Sequence, residues 1–231
     1  MGEPNASGRT ALVTGSSSGI GAAIAQRLSS DGWNVIGVDI AAAGTAPYLA
    51  ERITADLSDV DQVRAVLARV TGVQALVHAA GFMRVGGLCE LDPANGDAMW
   101  AVHVRALTVL AQGLCPQMSA GGRLLAIGSR TSSGAAQRSQ YAAVKAAVTA
   151  LVRSWAIELA PRGITANIIA PAATATAMLS AGERADVTPV IPPIGRLIEP
   201  REIAAYAAFV LSADAAAITG QHLLICGGAS L

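Results

Sequence analysis

The sequence predicts an α/β protein: one domain on a parallel sheet, with helices on both faces. Three observations lead there. Short, almost wholly apolar runs recur at Thr10–Thr14, Asn34–Ile40, Val73–Val77, Gly121–Ile127, Thr165–Ile169 and Leu223–Ile225. Strands buried on both faces read as such continuous runs, whereas half-exposed strands alternate. Stretches of helical character separate them: Ala22–Leu28, Val60–Val70, Ala94–Met118, Ser139–Leu159 and Glu199–Ser212. Parallel strands need this alternation, because each crossover must return to the same end of the sheet. Finally, no repeat, linker or composition break divides the 231 residues, so one domain over 1–231 is expected.

Composition narrows the class. Hydrophobic residues make up 52% and charged residues 14%, ample material for a large core. Net charge is zero and no basic block occurs, which argues against nucleic acid or an anionic membrane as the main partner. The polar stretch Met1–Gly8 has no signal-peptide pattern, and no run of ~18 apolar residues suggests a membrane span, so a cytoplasmic protein is expected. Cys89, Cys115 and Cys226 are odd in number and widely spread. They read as free, packed thiols in a reducing compartment, with no disulfide framework and no metal site.

Thr10–Thr14 is followed by Gly15-Ser16-Ser17-Ser18-Gly19-Ile20-Gly21 and then by helix. Strand, glycine-rich turn and helix in that order is a setting for phosphate: glycines allow close backbone approach, and a helix N-terminus offers unpaired N–H groups. The second strand ends in Asp39. In a dinucleotide site an acid there accepts hydrogen bonds from the adenosine ribose and repels a 2′-phosphate. No Arg or Lys lies in Gly15–Gly21 or directly after Asp39, so NAD is expected over NADP. A third strand is expected at Arg52–Ala55, closed by Asp56-Leu57, with Ser58-Asp59 capping the next helix. Asp56 suits either an adenine contact or plain helix entry. After the fourth strand, His78-Ala79-Ala80-Gly81 offers small residues for close approach to a flat ligand, with His78 read as structural. Leu179–Pro193 reads as a flap over the site, within a wider substrate segment at about 177–195, or as an ordinary surface loop.

The chemistry centres on Tyr141 and Lys145, four positions apart at the head of the Ala-rich helix. That spacing puts both on one helix face. An ammonium beside a phenol favours phenolate, which suits the Tyr to acid–base work near neutrality. Ser129 follows the apolar run Leu124–Ile127, at a strand end from which it can reach the same substrate oxygen.

With those residues in place, nearly the whole chain resembles the short-chain dehydrogenase/reductase family. Thr14 to Gly21 is similar to its Thr-Gly-x-x-x-Gly-x-Gly loop, and Asp56-Leu57 to its adenine-contacting pair. Tyr141-x-x-x-Lys145 with Ser129 is similar to its catalytic set, Pro171 to Thr176 to its nicotinamide-holding stretch, and Ile218-Thr219-Gly220-Gln221 with Gly227-Gly228 to its C-terminal segment. The resemblance implies a Rossmann-like doubly wound sheet of about seven strands in the order 3-2-1-4-5-6-7. It implies cofactor contacts from Gly15, Ser17, Ser18, Gly19, Ile20, Gly21, Asp39, Asp56, Leu57, Ala79, Ala80, Gly81, Tyr141, Lys145, Pro171, Thr174 and Thr176. It implies that Tyr141 exchanges the alcohol proton, that Lys145 lowers the Tyr141 pKa and holds the nicotinamide ribose, and that Ser129 donates to the reacting oxygen. It also implies a dimer or tetramer packed through the long helices; the Ala-rich face of Ala142–Ala160 would allow close approach.

Three departures stand out. His78 replaces the usual Asn of Asn-x-Ala-Gly, Ala172 replaces the Gly after Pro171, and His103 stands where the family places an Asn supporting a water chain to the Lys. His103 is therefore expected either to take up the proton relay or merely to pack. The implied activity is NAD-dependent oxidation of a small or cyclic secondary alcohol, or the reverse. A dihydrodiol dehydrogenase of the dihydroxybenzoate type also has an Arg in the loop after the fourth strand, here Arg84. Arg84, Arg130 and Arg138 are expected in loops at the strand ends, where at least one either meets a substrate carboxylate or is simply solvated. The alternatives are a 3-oxoacyl carrier reductase, disfavoured by Asp39, and a non-catalytic nucleotide-binding member, disfavoured by the intact Ser129, Tyr141 and Lys145.

Overall fold

A computed structural model of the chain describes residues 8–41, 46–179 and 190–231. Among them the apolar runs form seven strands: β1 (Thr10–Thr14), β2 (Asn34–Asp39), β3 (Glu51–Thr54), β4 (Val73–His78), β5 (Arg123–Ile127), β6 (Thr165–Pro171) and β7 (His222–Ile225). They pair in parallel in the order β3-β2-β1-β4-β5-β6-β7. The Rossmann-like expectation and its strand order therefore hold. Alternate side chains of a strand point to opposite faces. Leu12, Leu76 and Leu124 pack on one face with Val63, Leu107 and Val148; Val13, Val77 and Leu125 pack on the other with Ile24 and Ile203.

The first face is covered by α2 (Val60–Arg69), α4 (Ala106–Leu114) and α5 (Ser139–Leu159), the second by α1 (Gly19–Ser30) and α6 (Pro200–Leu211). The chain winds outward from β1 to β3, then returns to add β4 on the other side of β1. The connections after β1 and β4 thus leave in opposite directions and open a crevice at the strands' carboxyl ends.

One expected element is not continuous. The stretch read as a single helix, Ala94–Met118, is α3 (Pro93–Trp100), a π-helical turn over Ala101–Arg105, and then α4. A π-turn inserts a residue into the helical register, and such turns gather at functional sites. Here it carries His103 inward to 2% exposure. The helical stretch Pro93–Gln117 is long and apolar enough to cross a membrane, but 56% of its apolar window is buried in the fold; that explains the apolarity as core packing. Of the expected flap, 180–189 lie outside the described residues; Ala177–Leu179 form a short 3₁₀ turn before it.

Candidate active site

The turn after β1 meets the turn after β4 at the crevice floor. Gly15 adopts φ +68, and a Cβ there would lie 2.8 Å from the Ala80 Cα, so only glycine permits this contact. Behind it the buried Thr14 hydroxyl forms a closed network. It accepts from the Ala79 and Ala80 N–H groups, each at 3.1 Å, and donates to His78 Nδ1 at 3.0 Å. The His78 Nε2–H donates to the Val102 carbonyl at 3.1 Å. Burial pushes the His78 pKa down to about 3, so the ring is neutral, one nitrogen donating and the other accepting. That is how an amide side chain bonds, and it explains how His78 serves where the family has Asn.

The glycine turn runs into α1, whose N-cap, Ser18, makes no side-chain capping bond. Ser18, Gly19, Ile20 and Gly21 line the crevice with Asp39, Asp56 and Leu57. Asp39 is braced by backbone: Oδ2 accepts from the Ser17 N–H at 2.9 Å and Oδ1 from the Ala41 N–H at 3.0 Å. Asp56 accepts from the Ser58 N–H at 2.8 Å, while Asp59 caps α2. Ser17 departs from the sequence expectation, because it is absent from the cavity lining. Its N–H is taken by Asp39 and its Oγ accepts from Arg52 Nη2 at 2.6 Å.

At the other end, β5 delivers Ser129. Its Oγ lies 2.8 Å from Thr131 Oγ1 and accepts from the Thr131 N–H at 3.2 Å. Tyr141 and Lys145 project from the first turns of α5 and are 6% and 5% exposed. Lys145 Nζ stands 5.6 Å from the Tyr141 ring centroid and donates to the Ile127 carbonyl at 2.7 Å. Desolvation lowers the Lys145 pKa to about 7. Its charge therefore comes and goes near neutrality, beside a phenol that an ammonium would help to ionise.

His103 stands edge-on to Tyr141, with centroids 5.9 Å apart at 84°. Its Nε2 lies 2.8 Å from the Phe82 carbonyl and 3.2 Å from the Phe82 N–H, so it donates to the first or accepts from the second according to the ring's tautomer. Nδ1 is buried, and among the described residues it has no hydrogen-bond partner. Burial first, and then the Lys145 charge, hold the His103 pKa well below its ordinary value, so the ring is neutral, with one nitrogen able to donate a hydrogen bond and the other to accept one. The ring leaves no room for a side chain opposite: a Cβ on Gly81 would clash with His103 Cε1.

The crevice forms one cavity of about 570 Å³, lined from the glycine turn and Asp39 to Ser129, Tyr141, Lys145 and His103. Its wall includes every cofactor-binding and catalytic residue expected from the sequence except Ser17, together with Arg130 and Arg138 but not Arg84, and Pro171, Thr174 and Thr176 close the far side. Arg130 and Arg138 line it beside Ser129 and Tyr141, and neither forms an ion pair among the described residues. Arg84 is exposed and stacks over the Phe82 ring at 5.0 Å. The loops bearing these arginines are joined by a Gly86 N–H to Gln137 carbonyl bond of 2.9 Å, with Gln137 at φ 59. Sequence reasoning missed Arg52, Thr131 and Met83. Arg52 is remote from Ser17 along the chain, and only the pairing of β3 with β2 brings it there.

A nicotinamide dinucleotide fits this crevice on three grounds: the Gly15 turn, which any Cβ would fill; the α1 N-terminus, free of a side-chain cap; and carboxylates at the β2 end. Comparison with known proteins agrees. The enoyl-(acyl carrier protein) reductase family profile matches residues 15–230. The chain is 35% identical to the 3-oxoacyl-[acyl-carrier-protein] reductase FabG of Vibrio cholerae, over 97% of this chain and 98% of that protein. It is 34% identical to an uncharacterized oxidoreductase, YmfI, of Bacillus subtilis, over 95% and 98%. Among solved structures, a short-chain dehydrogenase from Burkholderia cenocepacia in complex with NADP superposes with a TM-score of 0.89 at 37% identity, over 96% of this chain and 98% of that one. With the sheet order, the glycine turn and the Tyr–Lys helix already described, this likeness along the full chain means that the protein belongs to the short-chain dehydrogenase/reductase family of oxidoreductases.

Proposed function

We propose that the chain is an NAD(H)-preferring dehydrogenase/reductase of secondary alcohols and ketones, and that its substrates carry a carboxylate. The observation that carries the reading is one cavity with the glycine turn and Asp39 at one end and Ser129, Tyr141 and Lys145 at the other. A nicotinamide dinucleotide bound there supplies or accepts the hydride, as the redox chemistry is the cofactor's. The protein's own work is geometric and protonic. The Thr131 N–H holds Ser129 Oγ so that the hydroxyl proton can turn to the substrate oxygen and steady its developing charge. Tyr141 gives its phenolic proton to that oxygen in reduction and takes it back in oxidation. Lys145 favours the phenolate and is itself near its own titration point. The neutral His103 ring, edge-on to Tyr141 and with a buried Nδ1 unpartnered among the described residues, hydrogen-bonds the proton path beyond Tyr141 and Lys145 in place of the Asn usual in the family.

NAD(H) preference rests on the Asp39 carboxylate, which would oppose a 2′-phosphate. The carboxylate-bearing substrate rests on Arg130 and Arg138, two half-buried guanidinium groups beside the catalytic set. Arginine recognises carboxylates bidentately, and the dihydrodiol type is the specific form in view. A second reading, 3-oxoacyl carrier reduction with NADPH, is favoured by the 35% identity to the Vibrio reductase and by the NADP(H) named in similar structures. As part of the first reading the protein is a cytoplasmic homo-oligomer; Ile157 on α5, 77% exposed, is a large apolar side chain of the kind oligomer interfaces cover.

The deciding experiment is an NADH and NADPH absorbance assay across dihydrodiols, hydroxy acids, cyclic alcohols and a 3-oxoacyl thioester. Turnover of acids with NAD(H) supports the first reading. Turnover of the thioester with NADPH alone overturns it in favour of the second.

A further inference from the structure

Behind the lining at the β2 end of the crevice, a cation stands on the residues that hold Asp39. Arg52, from β3, donates through Nη2 to Ser17 Oγ at 2.6 Å and to the Ala41 carbonyl at 3.2 Å. These are the two residues whose backbone N–H groups brace the Asp39 carboxylate, at 2.9 and 3.0 Å. Anion and cation therefore grip the same two residues, Ser17 from the glycine turn and Ala41 from the end of β2. Register explains the arrangement. Arg52 pairs with Gly37 in the parallel ladder, and a Cβ at Gly37 would lie 2.5 Å from Ser16 Oγ, so the glycine turn packs directly on this part of β2, within reach of Arg52.

We infer that Arg52 is a specificity-determining residue, and that the Asp39–Arg52 pair together sets the choice between a free and a phosphorylated adenosine ribose. This rests on the reading of the crevice as a dinucleotide site and deepens it. The carboxylate repels a 2′-phosphate and accepts from a 2′-hydroxyl. The guanidinium attracts the phosphate and is indifferent to the hydroxyl, and arginine's planar fork suits phosphate oxygens. Because the cation is already in place, removing one carboxylate suffices to admit the phosphate, with no new positive residue.

The test is a binding cycle on the apoprotein, with Kd for NADH and NADPH read from nucleotide fluorescence in the wild type, Asp39→Ser, Arg52→Met and the double variant. Asp39→Ser is expected to tighten NADPH at least 10-fold. Arg52→Met is expected to weaken NADPH at least 10-fold while moving NADH less than 3-fold, and to abolish the gain in the double variant. Arg52→Lys, which keeps the charge, should retain part of the NADPH affinity; it also supplies the comparison should Arg52→Met misfold by circular dichroism. Equal weakening of both nucleotides by Arg52→Met would reduce Arg52 to a structural brace. A double variant as tight for NADPH as Asp39→Ser alone would overturn the proposal too. Failure of the wild type to bind either nucleotide would instead remove the dinucleotide reading, and this inference with it.

Discussion

At the β2 end of the crevice the working groups are backbone N–H donors and carboxylates, Asp39 and Asp56, partly open to solvent. At the β5 end Ser129, Tyr141, Lys145 and His103 are 7%, 6%, 5% and 2% exposed. The contrast follows from what each end is asked to do. Holding a nucleotide needs many modest contacts, which water does not defeat. Moving a proton needs side chains whose charge states respond to their surroundings, and only desolvation makes that response strong. Two buried histidines mark the boundary. His78 has both nitrogens bonded and serves the backbone; His103 has one nitrogen unpartnered among the described residues and faces Tyr141.

The most severe break in this contrast is Tyr141→Phe. Turnover should fall by about 10³-fold, within what general acid–base catalysis supplies, while the nucleotide Kd stays within about threefold. An equal loss of binding would show that the two ends are not separable.

Gly81→Ala comes next. Its new methyl would meet the His103 ring, and overpacking of this kind costs about 1–3 kcal/mol. Urea unfolding should show that loss in the single variant and recover most of it in Gly81→Ala/His103→Asn. Recovery would confirm that the ring, rather than the backbone, demands the glycine.

Arg130→Met and Arg138→Met probe whether the buried end also selects substrate. At least one should raise KM for acidic substrates about 10-fold, as for a lost charged hydrogen bond, with neutral cyclic alcohols unaffected. Unchanged KM for every acid would remove the carboxylate from the function proposed here.

A titration sharpens the electrostatic side. The folded protein releases the Lys145 proton above a pKa of about 7, against 10.5 for an ordinary lysine. Between those values the unfolded chain binds more protons, so this group's contribution makes stability rise with pH. The Tm advantage of Lys145→Met over wild type should be greatest near pH 7 and shrink toward pH 10. A pH-independent difference would mean that Lys145 titrates normally.

Much of the molecule was legible because it is locally coded. Continuous apolar runs gave away the strands, and the i, i+4 spacing alone put Tyr141 and Lys145 on one face of a helix observed at Ser139–Leu159. What escaped is non-local. The π-turn at Ala101–Arg105 hides inside a good helical pattern, because one extra residue per turn leaves the composition unchanged. The orientation of Ser17 depends on partners from two other elements. The absence of a basic residue next to Asp39 along the chain did not reveal that Arg52, from β3, bonds Ser17 and Ala41, the two residues that brace Asp39.

Taken alone, then, the amino-acid order determined the alternation of strand and helix, the glycine turn, and which phenol and amine share a face, since each follows from backbone sterics and periodicity over a few residues. The tertiary structure decided what surrounds them: that Arg52 reaches Ser17, that His103 turns inward against Gly81, and that Lys145 is desolvated until it titrates near neutrality. Charge, burial and close approach are properties of neighbours in space, and neighbours far apart in the chain meet only when the sheet sets its register.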